Sequence, residues 1–302
     1  MRRVEMHGRR LGARMKSQIT RRQHFVPRFY LAQWENANGK VIVHDLTDDS
    51  TDERNPKNIL WEEYYYEEDS AAPDNRVEDI LGKVETDAAV VFNKIRSFED
   101  ADPNKTAERL NSDLSNDDIQ VIRHFAAHQY FRVPGAIDHK RFELQPSGIP
   151  DSVKEMELNP GRFVESGVAY REDVFQKLRM SLFVSSGHDY ITSDWPCFDM
   201  ADSDDAPLLG EDLGTKPGVF AYFPISPRVA AVFFSPQLSD VTSVAASLLR
   251  TQVTTRVQPN SEVKNQNTLV IQKAERFVIA REISSWIFKI ASTRKKGRPT
   301  RG

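Results

Sequence analysis

The chain has 302 residues, 39% apolar and 10% aromatic, enough for one large domain or two modest ones with a real core. No stretch approaches the roughly 18 consecutive apolar residues of a membrane helix. The start lacks the apolar segment of a secretory signal, so a cytoplasmic location is expected, an organellar transit peptide being the other reading of an Arg-rich, acid-poor leader.

The single cysteine, Cys197, excludes an internal disulfide and any multi-cysteine zinc site. The net charge of −3 hides an uneven distribution. Residues 1–22 carry eight Lys or Arg against Glu5, residues 294–302 carry five more, and the body between is left at −15. Two basic arms on an acidic body suit a nucleic acid or nucleotide held without sequence selectivity, or an acidic membrane surface. Solvated arms with no partner are the plainer alternative. The expected organisation is a disordered leader over 1–22, a single α+β domain over 23–290 and a disordered tail over 291–302.

In chain order, Pro27 starts a short helix whose apolar side is Phe29, Tyr30, Leu31 and Trp34. Asn38-Gly39 is a turn, residues 40–45 a strand, and the acidic run 45–53 a solvated loop. A strand is expected at 64–67. Val77, Leu81, Val84, Ala88, Val91, Phe92 and Ile95, with Ile80, recur at three- and four-residue spacings, which predicts an amphipathic helix over 75–97. Residues 99–113 read as a loop. Ser115 and Asp118 form a capping-box-like start for a helix that ends at Pro134-Gly135. Apolar residues lie on nearly every side of that helix, so it is central and its polar residues need partners.

Residues 135–160 look irregular apart from a short helix near 151–157, and a helix is expected from about 171. Residues 182–186 and 190–194 read as a β-hairpin, 201–218 as an acidic loop, and 219–225 with 229–235 as a second hairpin. A helix capped by Ser261 and a strand from Arg276 follow. Helices dominate the first half and antiparallel strands the second, an α+β pattern with a helical N-terminal half packed on a largely antiparallel C-terminal sheet.

His24 lies just before a helix start, where it suits a general base, a metal ligand or an anion contact; a structural histidine bonding a carbonyl is the bland alternative. His124 and His128, four apart on one helix, have metal-pair spacing but no glutamate between them and no evident third ligand. Arg132 suits either a capped helix end with a carboxylate partner or a guanidinium fork for phosphate. Ser193-Asp194 ends a strand, where side chains are displayed into clefts; a turn-forming aspartate is the alternative. Ser193 has no nucleophile elbow around it. Glu78 and Glu85 sit two turns apart on one helix edge, a place where carboxylates are more often solvated or salt-bridged.

These residues fall in motifs that together resemble a known family, the domain of unknown function family 4238. The motifs are His24-x-Val26-Pro27-x-Phe29-Tyr30-Leu31, Arg76-Val-Glu78 with Glu85, Gln129-x-x-Arg132-x-Pro134, Ile191-Thr-Ser193-Asp194-x-Pro196, Phe223-Pro224-Ile225-Ser226-Pro227, and Asn267 to Ala274 leading into Arg276. The resemblance implies no settled activity. It directs attention to His24, Glu78, Glu85, Gln129, Arg132, Ser193 and Asp194, and away from His124 and His128; the basic leader and tail depart from it.

The expected function is a nuclease-like hydrolase of phosphodiester or nucleotide substrates. In it His24 is the base or a ligand, Glu85 and Asp194 hold a divalent metal or position water, and Arg132 neutralises the substrate. Tyr30, Glu78, Gln129 and Ser193 serve binding. The rival is a non-enzymatic ligand- or partner-binding protein in which the same residues form a structural polar network.

Overall fold

The structure, a computed structural model, describes residues 19–138, 150, 158–165, 175–176, 178–199, 219–234, 253–282 and 284–295. The expected helices near 151–157 and after 171 and the loop over 201–218 lie wholly or largely outside these residues, as do most of the leader and the end of the tail. The protein is α+β, with antiparallel-rich sheets and helices concentrated in its middle.

Chain order begins with strand β1 (Arg22–His24), helix α1 (Arg28–Leu31) and a 3-10 turn (Ala32–Trp34). Next come β2 (Val41–Asp45), β3 (Ser50–Arg54), a 3-10 turn (Pro56–Asn58) and β4 (Trp61–Glu63). Helices α2 (Arg76–Ser97), α3 (Pro103–Asp113) and α4 (Asn116–Phe131) follow. Then β5 (Arg179–Ser185), β6 (Thr192–Ser193), β7 (Phe198–Asp199), β8 (Val219–Pro224), β9 (Val229–Phe234) and β10 (Val253–Gln258) lead into helix α5 (Asn260–Lys273). Strand β11 (Phe277–Ala280) and helix α6 (Ser285–Lys295) close the described chain.

Three sheets result. β1 and β4 make an antiparallel ribbon; β3-β2-β11-β6 is an antiparallel four-stranded sheet; and β10-β5-β9-β8-β7 is five-stranded, with only the β10–β5 pair parallel. Strand β11 thus joins the early pair β2–β3 to the late β6, closing a long sequence separation with main-chain bonds.

Helix α2 forms because its apolar residues line one stripe, and Val77, Leu81, Val84, Ala88, Val91, Phe92 and Ile95 are all buried. Ile80, at the stripe's margin, is 44% exposed. Helix α4 carries the expected capping box, Ser115 and Asp118 each accepting from the other's main chain. Between α1, α2, α4 and β8 sits an aromatic cluster. Tyr30 stacks on Phe223 with centroids 5.4 Å apart, and Phe92 and Phe29 meet Phe125 edge-on at 5.3 and 5.2 Å.

Several expectations give way. Residues 99–113 contain α3, because Asp102 accepts from the Asn104 N–H, Pro103 fits the first turn, and Thr106 and Leu110 bury one face. Within the acidic run, residues 50–54 form β3, an exposed edge strand with no burial pattern to announce it. The expected strand at 64–67 is displaced to β4, and Tyr64 turns the chain with φ 55°. The 182–194 hairpin does not form: β5 pairs with β9 and β10, while β6 pairs with β11 in another sheet. Helix α5 begins after Pro259 rather than at a Ser261 cap. Residues 20–22 of the leader and 291–295 of the tail are built into β1 and α6 or bonded beside them, Thr20 N–H donating to Asn75 Oδ1 at 2.9 Å.

Candidate functional site

Alternation along β1 divides its side chains. Gln23 points inward, where its amide donates to Glu67 and its carbonyl accepts from the Tyr66 N–H, at 2.7 Å each. Arg22 and His24, two residues apart, share the other face and line a cleft of about 920 Å³. The same wall continues through Arg28 at the start of α1 and through Asn55, Lys57 and Asn58 around the 3-10 turn. One face of α2 lines the cleft as well, through Glu78, Gly82, Glu85, Thr86 and Ala89, which fall three or four residues apart except for the adjacent Glu85 and Thr86. Gly82, Thr86 and Ala89 are small, and nothing lies within 4 Å of where a Cβ on Gly82 would stand. The cleft therefore stays open between the two glutamates.

Arg132 lies behind this cleft and not in it. At the C-cap of α4 its side chain is 1% exposed. Its Nη1 donates to Glu85 Oε1 at 2.8 Å, its Nη2 to the His24 carbonyl at 2.7 Å, and its Nε to Tyr66 Oη at 3.0 Å. The Tyr66 hydroxyl donates in turn to the same His24 carbonyl at 3.2 Å. Gln129, one turn earlier, donates to the Phe25 carbonyl at 3.0 Å. Burial opposes the Arg132 charge, but Tyr66 and Glu85 outweigh it and hold the guanidinium protonated. One arginine thus fixes β1, the tyrosine turn, α2 and α4 relative to one another.

Two cleft residues keep polar atoms that nothing among the described residues satisfies. His24 Nε2 and Glu78 Oε2 are both buried without a hydrogen-bond partner. Burial lowers the His24 pKa to about 4, against a main-chain bond at Lys57 that favours the protonated ring; nearby Arg28 and Arg132 lower it further. A ring that donates to the Lys57 main chain through Nδ1 leaves Nε2 with the lone pair. Burial raises the Glu78 carboxyl to about 7, moderated by Arg132 and reinforced by Glu85. The cleft therefore holds an unprotonated imidazole nitrogen at neutral pH and a carboxyl that keeps its proton to higher pH than an ordinary glutamate.

The remaining expected residues lie elsewhere. Asp194 Oδ1 accepts from the Glu275 N–H at 2.9 Å, and its Oδ2 accepts from the Arg276 and Phe277 N–H groups at 2.6 and 2.9 Å. Burial pushes this carboxyl up to about 6 despite those three donors. Ser193 Oγ closes a local turn, donating to the Trp195 carbonyl and accepting from its N–H. Tyr30 Oη donates to the Pro224 carbonyl at 2.7 Å and meets Thr192 Oγ1 at 2.7 Å. None of these three lines the cleft. His124 and His128 pack edge-on, centroids 4.6 Å apart, and among the described residues no group of three or more His, Cys, Asp or Glu is placed to hold a metal ion. Sequence reasoning missed Arg22, Arg28, Lys57, Tyr66 and Gly82. Only the Arg22–His24 alternation carried a local signal.

Fold and cleft together define an α+β protein with a partly buried histidine and a partly buried carboxylate in the lining of one open cleft, braced from behind by a buried arginine. The chain belongs to the family described as protein of unknown function DUF4238, whose sequence profile matches residues 22–284. No curated protein and no solved structure matches it. Among the described residues no helix is long and apolar enough to cross a membrane.

Proposed function

We propose that this cleft hydrolyses a phosphodiester or nucleotide substrate by general acid–base chemistry, with His24 as base and Glu78 as acid. The observation that carries the reading is the pair of unsatisfied buried atoms, His24 Nε2 and Glu78 Oε2, in the lining of one cleft. Arg22, Arg28 and Lys57 support an anionic substrate. Each lines the cleft with no carboxylate partner among the described residues, whereas neighbouring Arg21 and Arg76 are paired with Glu63 and with Glu68 and Glu165. They take the charge-neutralising part expected of Arg132, whose three nitrogens are already engaged.

In the step, a water oxygen attacks phosphorus while His24 Nε2 takes the water's proton. The bond from phosphorus to the leaving oxygen breaks, and the Glu78 carboxyl gives that oxygen its proton. Solvent then removes the proton from the imidazolium and restores the one on Glu78. Glu85 and Arg132 position β1 and α2. Positioned acid or base groups contribute about 10²–10⁴-fold each.

The test is turnover of bis(p-nitrophenyl) phosphate and of a labelled oligonucleotide, with and without added divalent cation. His24→Ala and Glu78→Gln should each lower it at least a hundredfold while thermal unfolding stays cooperative. The rival reading, a binding protein without turnover, is favoured by the completeness of the Arg132 network; it gains if no substrate turns over and both variants still bind anionic ligands.

A further inference from the structure

We infer that the substrate is an unpaired nucleic acid strand, with a base stacking on Arg22 at the cleft rim; this rests on the acid–base reading of the cleft and narrows it to one class of phosphodiester. The β1–β4 register sets His24 opposite Trp61 and Arg22 opposite Glu63, so Arg22, His24, Trp61 and Glu63 stand on one face of the ribbon. On that face the Arg22 guanidinium lies over the Trp61 ring, 4.3 Å from its centroid. Arg22 is exposed and Trp61 half-buried. The indole therefore backs one side of a planar cation and leaves the other side to solvent.

A guanidinium held over an aromatic ring, with its far side open, offers a stacking surface to a nucleobase. Its edge N–H groups can bond any phosphate ester, but its open face is of use only to a planar group such as a base. Its place is informative, because Arg22 both carries this platform and lines the cleft with His24. A phosphate next to a base stacked there falls among Arg28, Lys57, Asn55 and Asn58, which line the same wall. Thr20 lines the cleft as well. A duplex hides the faces of its bases; a single strand exposes them, and its phosphates reach the basic residues of the wall.

The experiment is fluorescence anisotropy with the full chain and four labelled probes: an eight-nucleotide single-stranded DNA, its RNA counterpart, an abasic strand of the same charge, and a duplex. Arg22→Lys keeps the charge and loses the plane, and Trp61→Ala removes the backing. Each should weaken the base-bearing single strands by about 5- to 100-fold and leave the abasic strand within about threefold. Trp61→Phe should recover most of the loss. DNA and RNA falling together supports stacking without sugar recognition; one falling alone supports it with selection of that sugar. Equal binding of base-bearing and abasic strands, preference for the duplex, or Arg22→Lys behaving as wild type overturns the inference. If strands fail to bind while bis(p-nitrophenyl) phosphate is still turned over, only this inference falls; if turnover is absent too, the acid–base reading falls with it.

Discussion

Gly82 gives the sharpest separation of stability from function. It sits inside α2, well away from both Arg76 and Ser97, with no positive φ and nothing within 4 Å of the place a Cβ would take. Glycine inside a helix costs about 0.5–1 kcal/mol relative to alanine. Gly82→Ala should therefore stabilise the protein by about that amount, which for a chain of this size raises Tm by roughly 1–2 °C. Gly82→Phe starts from the same open Cβ position on an exposed part of α2, so unfolding should remain cooperative. Its ring, however, stands between Glu78 and Glu85 in the cleft of about 920 Å³. Thermal unfolding by circular dichroism and kcat/KM on a phosphodiester are read together. The expected pattern is a small rise in Tm for alanine with activity within a few-fold, and at least a tenfold loss for phenylalanine with unfolding still cooperative. Full activity in Gly82→Phe would show that chemistry does not occur in this cleft. Destabilisation by alanine would contradict the placing of Gly82 on the open face of α2.

Three further outcomes follow from the same geometry. Arg132→Ala leaves Glu85, Tyr66 and the His24 carbonyl without their shared donor, and should cost about 3–5 kcal/mol in urea unfolding; Arg132→Lys, with one ammonium for three acceptors, should recover only part of it. Asp194→Ala strands the three N–H groups of residues 275–277, at about 1–3 kcal/mol each. It should therefore appear as lost soluble protein or a lower urea midpoint; Asp194→Asn, which keeps one accepting oxygen and sets a donor against the remaining N–H, should lose a smaller part of that stability. Glu78 has a folded pKa raised to about 7 from an ordinary unfolded value, so the folded state holds more protons between them. That contribution is fully present below the unfolded pKa and is lost as pH rises through about 7. Glu78→Gln should thus gain stability over wild type at pH 8 and not at pH 4, as measured by urea unfolding at the two pH values.

What could be read from the residues alone was whatever local periodicity encodes. Helix α2 announced itself through Val77, Leu81, Val84 and Ala88, α4 through Ser115 and Asp118, and the β8–β9 hairpin through Ser226-Pro227. Long-range pairing is not local, so nothing in residues 182–194 told that β5 would take β9 and β10 while β6 joined β11. Strand β3 was hidden because an exposed edge has no burial pattern. The same limit governed the site. His24, Glu78 and Glu85 do meet around one cleft, with Arg132 holding two of them. Asp194 looked displayed at a strand end, yet its oxygens are taken by main-chain N–H groups of a segment 81 to 83 residues away. Burial also separated the two glutamates: Glu85 is tied to Arg132, and Glu78 is the one left with an unsatisfied oxygen. Neither fact is written in their seven-residue spacing.

The most direct measurement is the pH dependence of kcat/KM for phosphodiester hydrolysis by the wild-type chain. A neutral His24 is required above about 4 and a protonated Glu78 below about 7, which predicts a bell with its plateau between those values. In Glu78→Gln the alkaline limb near 7 should vanish from the residual rate. Turnover that keeps rising through pH 8, or a Glu78→Gln profile with the alkaline limb intact, would contradict the assignment of His24 and Glu78 as the acid–base pair.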